Sequence, residues 1–537
     1  MGGAIFNQGI LVLDAVTLCN NVAQGGAGGG FGFDSTGPPG GGLGGNGFGG
    51  AVFPAGSSGG VINPYGGGGG GGGFGTNDNG SAAGGGGVAD GLGGAGGGSF
   101  AGHSQPGGGV PAGHGSGGGG GCFELEYSNS SGNGGAFGMN GVTAVDFGGG
   151  GGGGGVGGGG GGGLYSPAGH ISDGFGGGGG GGFGGGGGDG AGVYLEQVGA
   201  GYLTESGAGG NGGFGGGAGG YANGAGAVGG FGGGNGTGYI GDGGGGGAGM
   251  GGAIFNHGGT VSVTNSTLAG NSALGGPGGS LYSNNGGGGF GGAIFNLNGT
   301  LSIVSSTIAG NTNGGAFGNG AAVYNLAYDS ATAQNSKAIL VNSILGADTG
   351  GTELVNDQPV STTAGTNLGI SVLLATEPNI VQSFLNTGGT FTNSGVIATN
   401  PMLGPLVDNG GPTPTMALLP GSPAANAGDA LLAPATDQRG APRLTGTNLD
   451  LGAVQFQAGS APAVLIGYNF SAPGQFQIQF DGNTGAGYTV LTATNVSLPV
   501  TNWTVLGPAT QISNGLFQFI DVQPTNAPLR FYRVRQP

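Results

Sequence analysis

The chain has 537 residues, of which 161 are Gly, and 23 acids against 6 bases give a formal net charge of −17. Glycine without a strict Gly-X-Y period excludes collagen. Two cysteines, Cys19 and Cys122, are too few for a disulfide framework or a structural zinc site, and no apolar run reaches the length of a membrane-spanning helix. The bases are Lys337, Arg439, Arg443, Arg530, Arg533 and Arg535, so the N-terminal half holds no Lys or Arg and is a poor partner for nucleic acid or an anionic membrane.

Residues 1–24 read as one repeat. They open on Gly2-Gly3-Ala4-Ile5-Phe6-Asn7, a phrase that returns unchanged at Gly251–Asn256 and Gly291–Asn296, and relaxed at Gly320-Ala321-Ala322-Val323-Tyr324-Asn325. Each of the three full copies leads into a β-branched or aliphatic run and a second Asn: Leu11, Leu13, Leu18 and Asn21; then Val261, Val263, Leu268 and Asn271; then Leu301, Ile303, Ile308 and Asn311. Alternation at period two, as in Val261-Ser262-Val263-Thr264, marks strands with one face inward. Repetition at a few tens of residues without helical stripes predicts a solenoid. The expected fold is all-β: a right-handed parallel β-helix with a Gly-rich insertion and a small C-terminal antiparallel β-sandwich. Its corners are expected at Asn7, Asn256, Asn296, Asn325, Asn271 and Asn311, because Asn tolerates the left-handed backbone and its amide can hydrogen-bond along the stack. Cys19 falls where Ala269 and Ala309 fall, which predicts a small buried filler; its pairing with Cys122 stays open. Met1 sits directly on the phrase, so an N-terminal cap and an export signal are expected to lie upstream.

Residues 25–250 form a Gly-rich low-complexity insertion with degenerate echoes of the repeat, such as Gly49-Gly50-Ala51-Val52-Phe53, Gly135-Ala136-Phe137 and Gly192-Val193-Tyr194-Leu195. Two arrangements compete: a loose excursion, or extended glycine strands laid side by side or degenerate repeats, with anchors among the scattered Phe such as Phe74, Phe175, Phe183, Phe214 and Phe231. A mixture with much of it poorly ordered is expected. Residues 251–400 carry the clearest repeats, including a strand pair over Lys337–Gly346.

At Asn400 the character changes. Residues 401–457 run through Asn400-Pro401-Met402-Leu403-Gly404-Pro405-Leu406, Asp408–Thr413, Leu418–Ala424, Asp437-Gln438-Arg439-Gly440-Ala441-Pro442-Arg443 and Leu449–Val454. This succession resembles the C-terminal end of bacterial surface β-helices of the choice-of-anchor Q group. The repeat phrase also resembles the repeats of polymorphic outer-membrane proteins of the autotransporter type. The resemblance implies a secreted or cell-surface protein. The segment reads as a cap of the β-helix, since prolines end a ladder to which they cannot donate. Asp437, Arg439, Arg443 and Asp450 are expected to brace it. Residues 458–537 alternate at Phe476–Phe480, Tyr488–Leu491 and Phe517–Phe519, with turn residues between. They predict the small β-sandwich, with Trp503 and Phe531 in its core and the terminal arginines fixing the last strand or addressing an anchoring or secretion partner.

The chemistry is sparse. Gly-x-Gly-x-x-Gly matches are trivial in polyglycine. His103, His114 and His170 lack metal-ligand spacing, and the stretch Gly184–Gly190 resembles a calcium nonapeptide without repeating. A lyase would need a base, and the solenoid offers only Lys337. A glycosidase would need a carboxylate pair, yet Asp14 is not repeated at Thr264 or Val304. No catalytic residue, cofactor or metal ligand is therefore assigned. The expectation is a non-catalytic surface protein acting in adhesion or envelope display, with glycans or a cell-surface protein as partners. The alternatives are a β-helix polysaccharide lyase or glycoside hydrolase, and a plain stalk carrying the C-terminal module.

Overall fold

The computed structural model describes residues 1–28, 194–198, 201–205, 211–219, 227–236, 244–279, 285–328, 334–359, 369–375, 377–443, 449–455, 463–482, 487–513, 515–522 and 529–535. Within them the chain is all-β, with two short 3-10 turns at Ala430–Leu432 and Val500–Asn502. Three parallel sheets of six strands dominate. The first holds Ile5–Asn7, Ile254–His257, Ile294–Leu297, Val323–Leu326, Leu354–Asp357 and Phe384–Thr387. The second holds Ile10–Asp14, Thr260–Thr264, Thr300–Val304, Ser336–Val341, Ser371–Ala375 and Thr390–Asn393. The third holds Thr17–Cys19, Thr267–Ala269, Thr307–Ala309, Ile344–Gly346, Asn379–Val381 and Val396–Ile397. Each of the six repeats thus gives one strand to each sheet.

The register is that of the sequence phrase. Ile5 lies opposite Ile254, Ile254 opposite Ile294, Ile294 opposite Val323, and Val323 opposite Leu354. The first repeat therefore pairs directly with the second, although the whole Gly-rich tract separates them in sequence. Side chains alternate as strand geometry requires. Ile254, Val261, Val263, Leu268 and their equivalents form one continuous aliphatic core shared by the three sheets.

A second core lies on the other face of the first sheet. Phe6, Phe255, Phe295 and Tyr324 alternate with the inward Ile and Val, and their rings stack in register at centroid separations of 5.4, 5.2 and 5.4 Å. Phe214 and Phe231, themselves stacked at 5.3 Å, pack onto this row together with Met250 and Phe290. The described parts of the tract thus include extended glycine segments laid side by side and anchored by Phe. Their backbones bond to one another: Gly230 N donates to Gly216 O (2.9 Å), Gly234 N to Gly246 O (2.8 Å), Gly247 N to Gly26 O (2.8 Å) and Gly276 N to Gly247 O (2.7 Å). Such proximity excludes side chains, because a Cβ on Gly230 would be driven into the carbonyl oxygen of Gly213. Tyr194–Val198 and Gly201–Glu205 form an antiparallel hairpin. The echoes at 49–53 and 135–137, Cys122, His103, His114, His170 and the stretch 184–190 lie outside the described residues.

Residues 401–443 and 449–455 run along the third sheet. A hairpin of Leu403–Val407 with Thr415–Leu418 leads in. Leu418, Ala424 and Leu451 then pack on Ile344 and Ile380. Asn342 exchanges bonds with Asp429 in the fourth repeat, Thr307 Oγ1 accepts from Ala453 N in the third, and Thr17 Oγ1 accepts from Gln438 in the first. The C-terminal residues form two antiparallel sheets: Val464–Ala472, Gln475–Asp481, Leu516–Asp521 and Thr510–Ser513 in one, Thr504–Pro508, Thr489–Ala493 and Phe531–Arg535 in the other. Phe480, Tyr488 and Phe517 form a core with Val534 of the second sheet, and Trp503 is buried with Leu491, Ala493 and Phe531. Arg530 pairs with Asp521, which also accepts from Tyr532 Oη at 2.8 Å, so this arginine ties the start of the last strand to Leu516–Asp521 of the other sheet.

Candidate functional site

Two features recur in every repeat: a column of amides inside the corners, and the outward face of the second sheet.

The columns come first because they fix the face. Asn7, Asn256, Asn296, Asn325, Asn356 and Asn386 end the first-sheet strands in register. Each Nδ2 donates to the Oδ1 of the next, at 2.7, 2.6, 2.6, 2.7 and 2.7 Å. The same nitrogens close the turn below, as when Asn256 Nδ2 donates to Gly259 O and Asn296 Nδ2 to Gly299 O. One donor group thus satisfies both a turn and a neighbouring repeat, which removes the cost of burying it. A second column runs Asn21, Asn271, Asn311 and Asp348, at 2.8, 2.9 and 3.0 Å. Left-handed backbone does not explain these positions. The positive φ belongs to the residue before each one, namely Asn20 (57°), Gly270 (68°), Gly310 (69°) and Ala347 (60°). The expectation that the corner Asn itself takes that conformation is corrected: the amide is needed for its two-sided hydrogen bonding, and in the second column the preceding residue makes the turn. Asn356, Asn386 and Asp348 were not read from the sequence, although each occupies the matching register position.

The face follows from the alternation. Outward on the second sheet stand, repeat by repeat, Ile10, Val12 and Asp14; Thr260, Ser262 and Thr264; Thr300, Ser302 and Val304; Lys337, Ile339 and Val341; Val372 and Leu374; and Thr390 and Thr392. They form rows across the strands, for example Val12, Ser262, Ser302, Ile339, Leu374 and Thr392. Neighbouring members of a row are set apart by the strand spacing of about 4.8 Å. Asp14 and Lys337 are the charged side chains among these outward positions. The surface mixes hydroxyl and aliphatic side chains and is close to neutral in a chain whose net charge is −17.

The four bracing residues meet on the lateral segment. Asp437 Oδ2 accepts from Arg439 Nη2 (2.7 Å) and from the backbone of Gln455 (3.0 Å), and its Oδ1 accepts the amides of Arg439 and Ala441. Arg443 is buried and donates to Asn265 Oδ1 (3.0 Å) and Gly452 O (2.8 Å), so it bolts the segment to the second repeat. Burial pulls its guanidinium down to about 10, partly offset by Asp437 and Asp450. Asp450 Oδ1 accepts from Asn426 N at 2.7 Å. Gln438, which sequence reading passed over, donates to Val16 O and Thr17 Oγ1 and accepts from Thr267 Oγ1.

On the outer side of the first sheet, Tyr324 Oη donates to Asp357 Oδ2 at 2.6 Å, and burial, then Asp357, raises the phenol above its ordinary range. Burial pushes the His257 imidazole down to about 4. Among the described residues no three His, Cys, Asp or Glu side chains converge, and no helix is long and apolar enough to cross a membrane. Comparison with protein-family models, curated proteins and solved structures finds no match.

Proposed function

We propose that this chain is a non-catalytic, secreted or surface-displayed protein whose stacked repeats wind as a right-handed parallel β-helix of the choice-of-anchor Q type. In this reading the two C-terminal sheets form a β-sandwich module at an anchoring or secretion interface. The helix presents the outward face of its second sheet to a neutral, hydroxyl-bearing partner such as a cell-surface glycan. The observation that supports this is the face itself. Its rows of Thr, Ser, Val and Ile stand in register from repeat to repeat, held by an amide column that makes the repeats equivalent. A repeated array suits many weak contacts whose summed avidity exceeds any one of them.

The test is retention of the full chain on a panel of insoluble neutral polysaccharides and intact cells. The comparison variant carries Ser262→Glu and Ser302→Glu, two adjacent positions of one row. Adhesion through this face predicts retention by the parent and a loss of at least about tenfold in the variant. Equal retention by both chains, or release of soluble sugar by the parent, would sink the reading. Loss of all binding on removing residues after 458 would assign it to the C-terminal module instead.

A further inference from the structure

The second amide column ends on a carboxylate. Asp348 stands where Asn311, Asn271 and Asn21 stand in earlier repeats, and its Oδ1 accepts both the backbone N–H and the Nδ2 of Asn311. The chain then turns through Thr349, Gly350 and Gly351, with φ of 100° and 150° at the two glycines, to Glu353, which is 5% exposed. Glu353 Oε1 accepts the Asp348 N–H at 3.4 Å, so two carboxyl groups face each other inside one short loop. Asp348 Oδ2 and Glu353 Oε2 are both sealed from solvent without a hydrogen-bond partner. Neither carboxylate has an ion-pair partner among the described residues.

A third buried polar group lies against the same loop. Asn313 lies one strand below, its backbone bonded to Thr349 O. It is 3% exposed, and neither its Oδ1 nor its Nδ2 has a partner. Its amide sits directly against Gly350 and Gly351, where a Cβ on Gly350 would strike Oδ1. Four sealed polar atoms without partners, two in the loop and two on the strand beneath it, is a heavy concentration, since each costs roughly 1–3 kcal/mol or more if left so. A proton shared between the carboxyls would satisfy the two acids but leave the Asn313 amide orphaned. A cation takes three of these four atoms, the two carboxylate oxygens and Asn313 Oδ1, where a shared proton takes two.

We propose that the loop 348–353 is a calcium site, with Asp348 Oδ2, Glu353 Oε2 and Asn313 Oδ1 as protein ligands. Oxygen-only donors and two carboxylates match a divalent hard cation, and a short glycine-bearing loop suits calcium's tolerant geometry better than magnesium's strict octahedron. The site's place at the end of an amide column gives the ion a structural role: it locks the fourth repeat's loop to the third.

Calcium chloride added to the full, chelator-treated chain tests this by calorimetric titration and thermal melting. The site predicts saturable binding and a melting temperature that rises by about 2–4 °C for each tenfold excess over the dissociation constant. The pair Asp348→Asn with Glu353→Gln is neutral and nearly isosteric, and it should melt as one folded species indifferent to calcium. Asn313→Ala alters no charge and should weaken binding at least about tenfold. A parent chain that neither binds calcium nor shifts its melting point overturns the proposal and leaves the pair sharing a proton. Undiminished calcium binding by both variants overturns it equally, by placing the ion elsewhere.

Discussion

Asn296 sits in the middle of the stack, bonded on both sides. It is fully buried, accepts from Asn256 Nδ2 at 2.6 Å, and donates to Asn325 Oδ1 at 2.6 Å, Gly299 O at 3.0 Å and Ser336 Oγ at 3.0 Å. Asn296→Ala removes both ladder bonds and the turn bond. Each intramolecular bond is worth about 1 kcal/mol net, and each buried group left unpaired adds about 1–3 kcal/mol. Some compensation remains, because Asn256 Nδ2 keeps Gly259 O and Asn325 Oδ1 keeps the Ser336 hydroxyl. The expected loss is therefore about 3 kcal/mol. Asn296→Asp should cost more, since a carboxylate cannot donate to Asn325 Oδ1 or Gly299 O. Ser302→Ala, on the outward row, should stay within about 0.5 kcal/mol. Urea unfolding of the full chain, followed by far-ultraviolet circular dichroism, compares the three. A midpoint for Asn296→Ala indistinguishable from that of Ser302→Ala would refute the idea that the amide column holds the repeats together.

Other outcomes follow from the same contacts. Gly230→Ala drives a methyl into Gly213 O, whereas Gly9→Ala meets open space; the first should open residues 211–236 to limited proteolysis, and the second should change nothing. Phe214→Ala removes the ring that covers Phe295 and Tyr328 and should cost about 3 kcal/mol, read as earlier loss of near-ultraviolet aromatic dichroism. His257 has a folded value of about 4 against an ordinary 6.5, so the unfolded chain takes up the proton first as pH falls. The stability it permits is complete above pH 6.5 and is lost progressively down to pH 4. At 1.36 kcal/mol per unit the ceiling is about 3 kcal/mol, less for a ring that is partly exposed. His257→Gln should flatten the stability profile across that window, and an unchanged profile would contradict the assignment.

Much of the stack could be read from the chain. The phrase Gly-Gly-Ala-Ile-Phe-Asn supplied strand, register and amide column at once, because one inward Ile and one corner Asn recur at fixed offset. The aromatic layer was hidden by the same alternation. A residue between two inward ones normally faces water, and only the scattered Phe of the tract hinted that Phe255 and Phe295 meet a cover. Glycine gave no pattern of its own, since its packing depends on backbone hydrogen bonds that carry no side-chain signature. The course of residues 401–455 beside the third sheet rests on long-range partners such as Arg443 with Asn265 and Gln438 with Thr17, which no local pattern marks. The pair Asp348 and Glu353 was legible only in part: aligning Ala347-Asp348 with Gly310-Asn311 places the first carboxylate, but nothing in the spacing brings the second to it.

The central claim is that the first repeat lies in register on the second across the whole Gly-rich tract. Paired cysteines test it most directly. With Cys19 and Cys122 replaced by Ala, Val12→Cys and Ser262→Cys occupy opposed positions, within the Cα range that a disulfide spans. Mild oxidation should cross-link this pair nearly completely within one chain, and the offset pair Val12→Cys with Thr264→Cys far less. Equal yields from the two pairs, or none from the first, would contradict the stacking on which the fold and the proposed surface both depend.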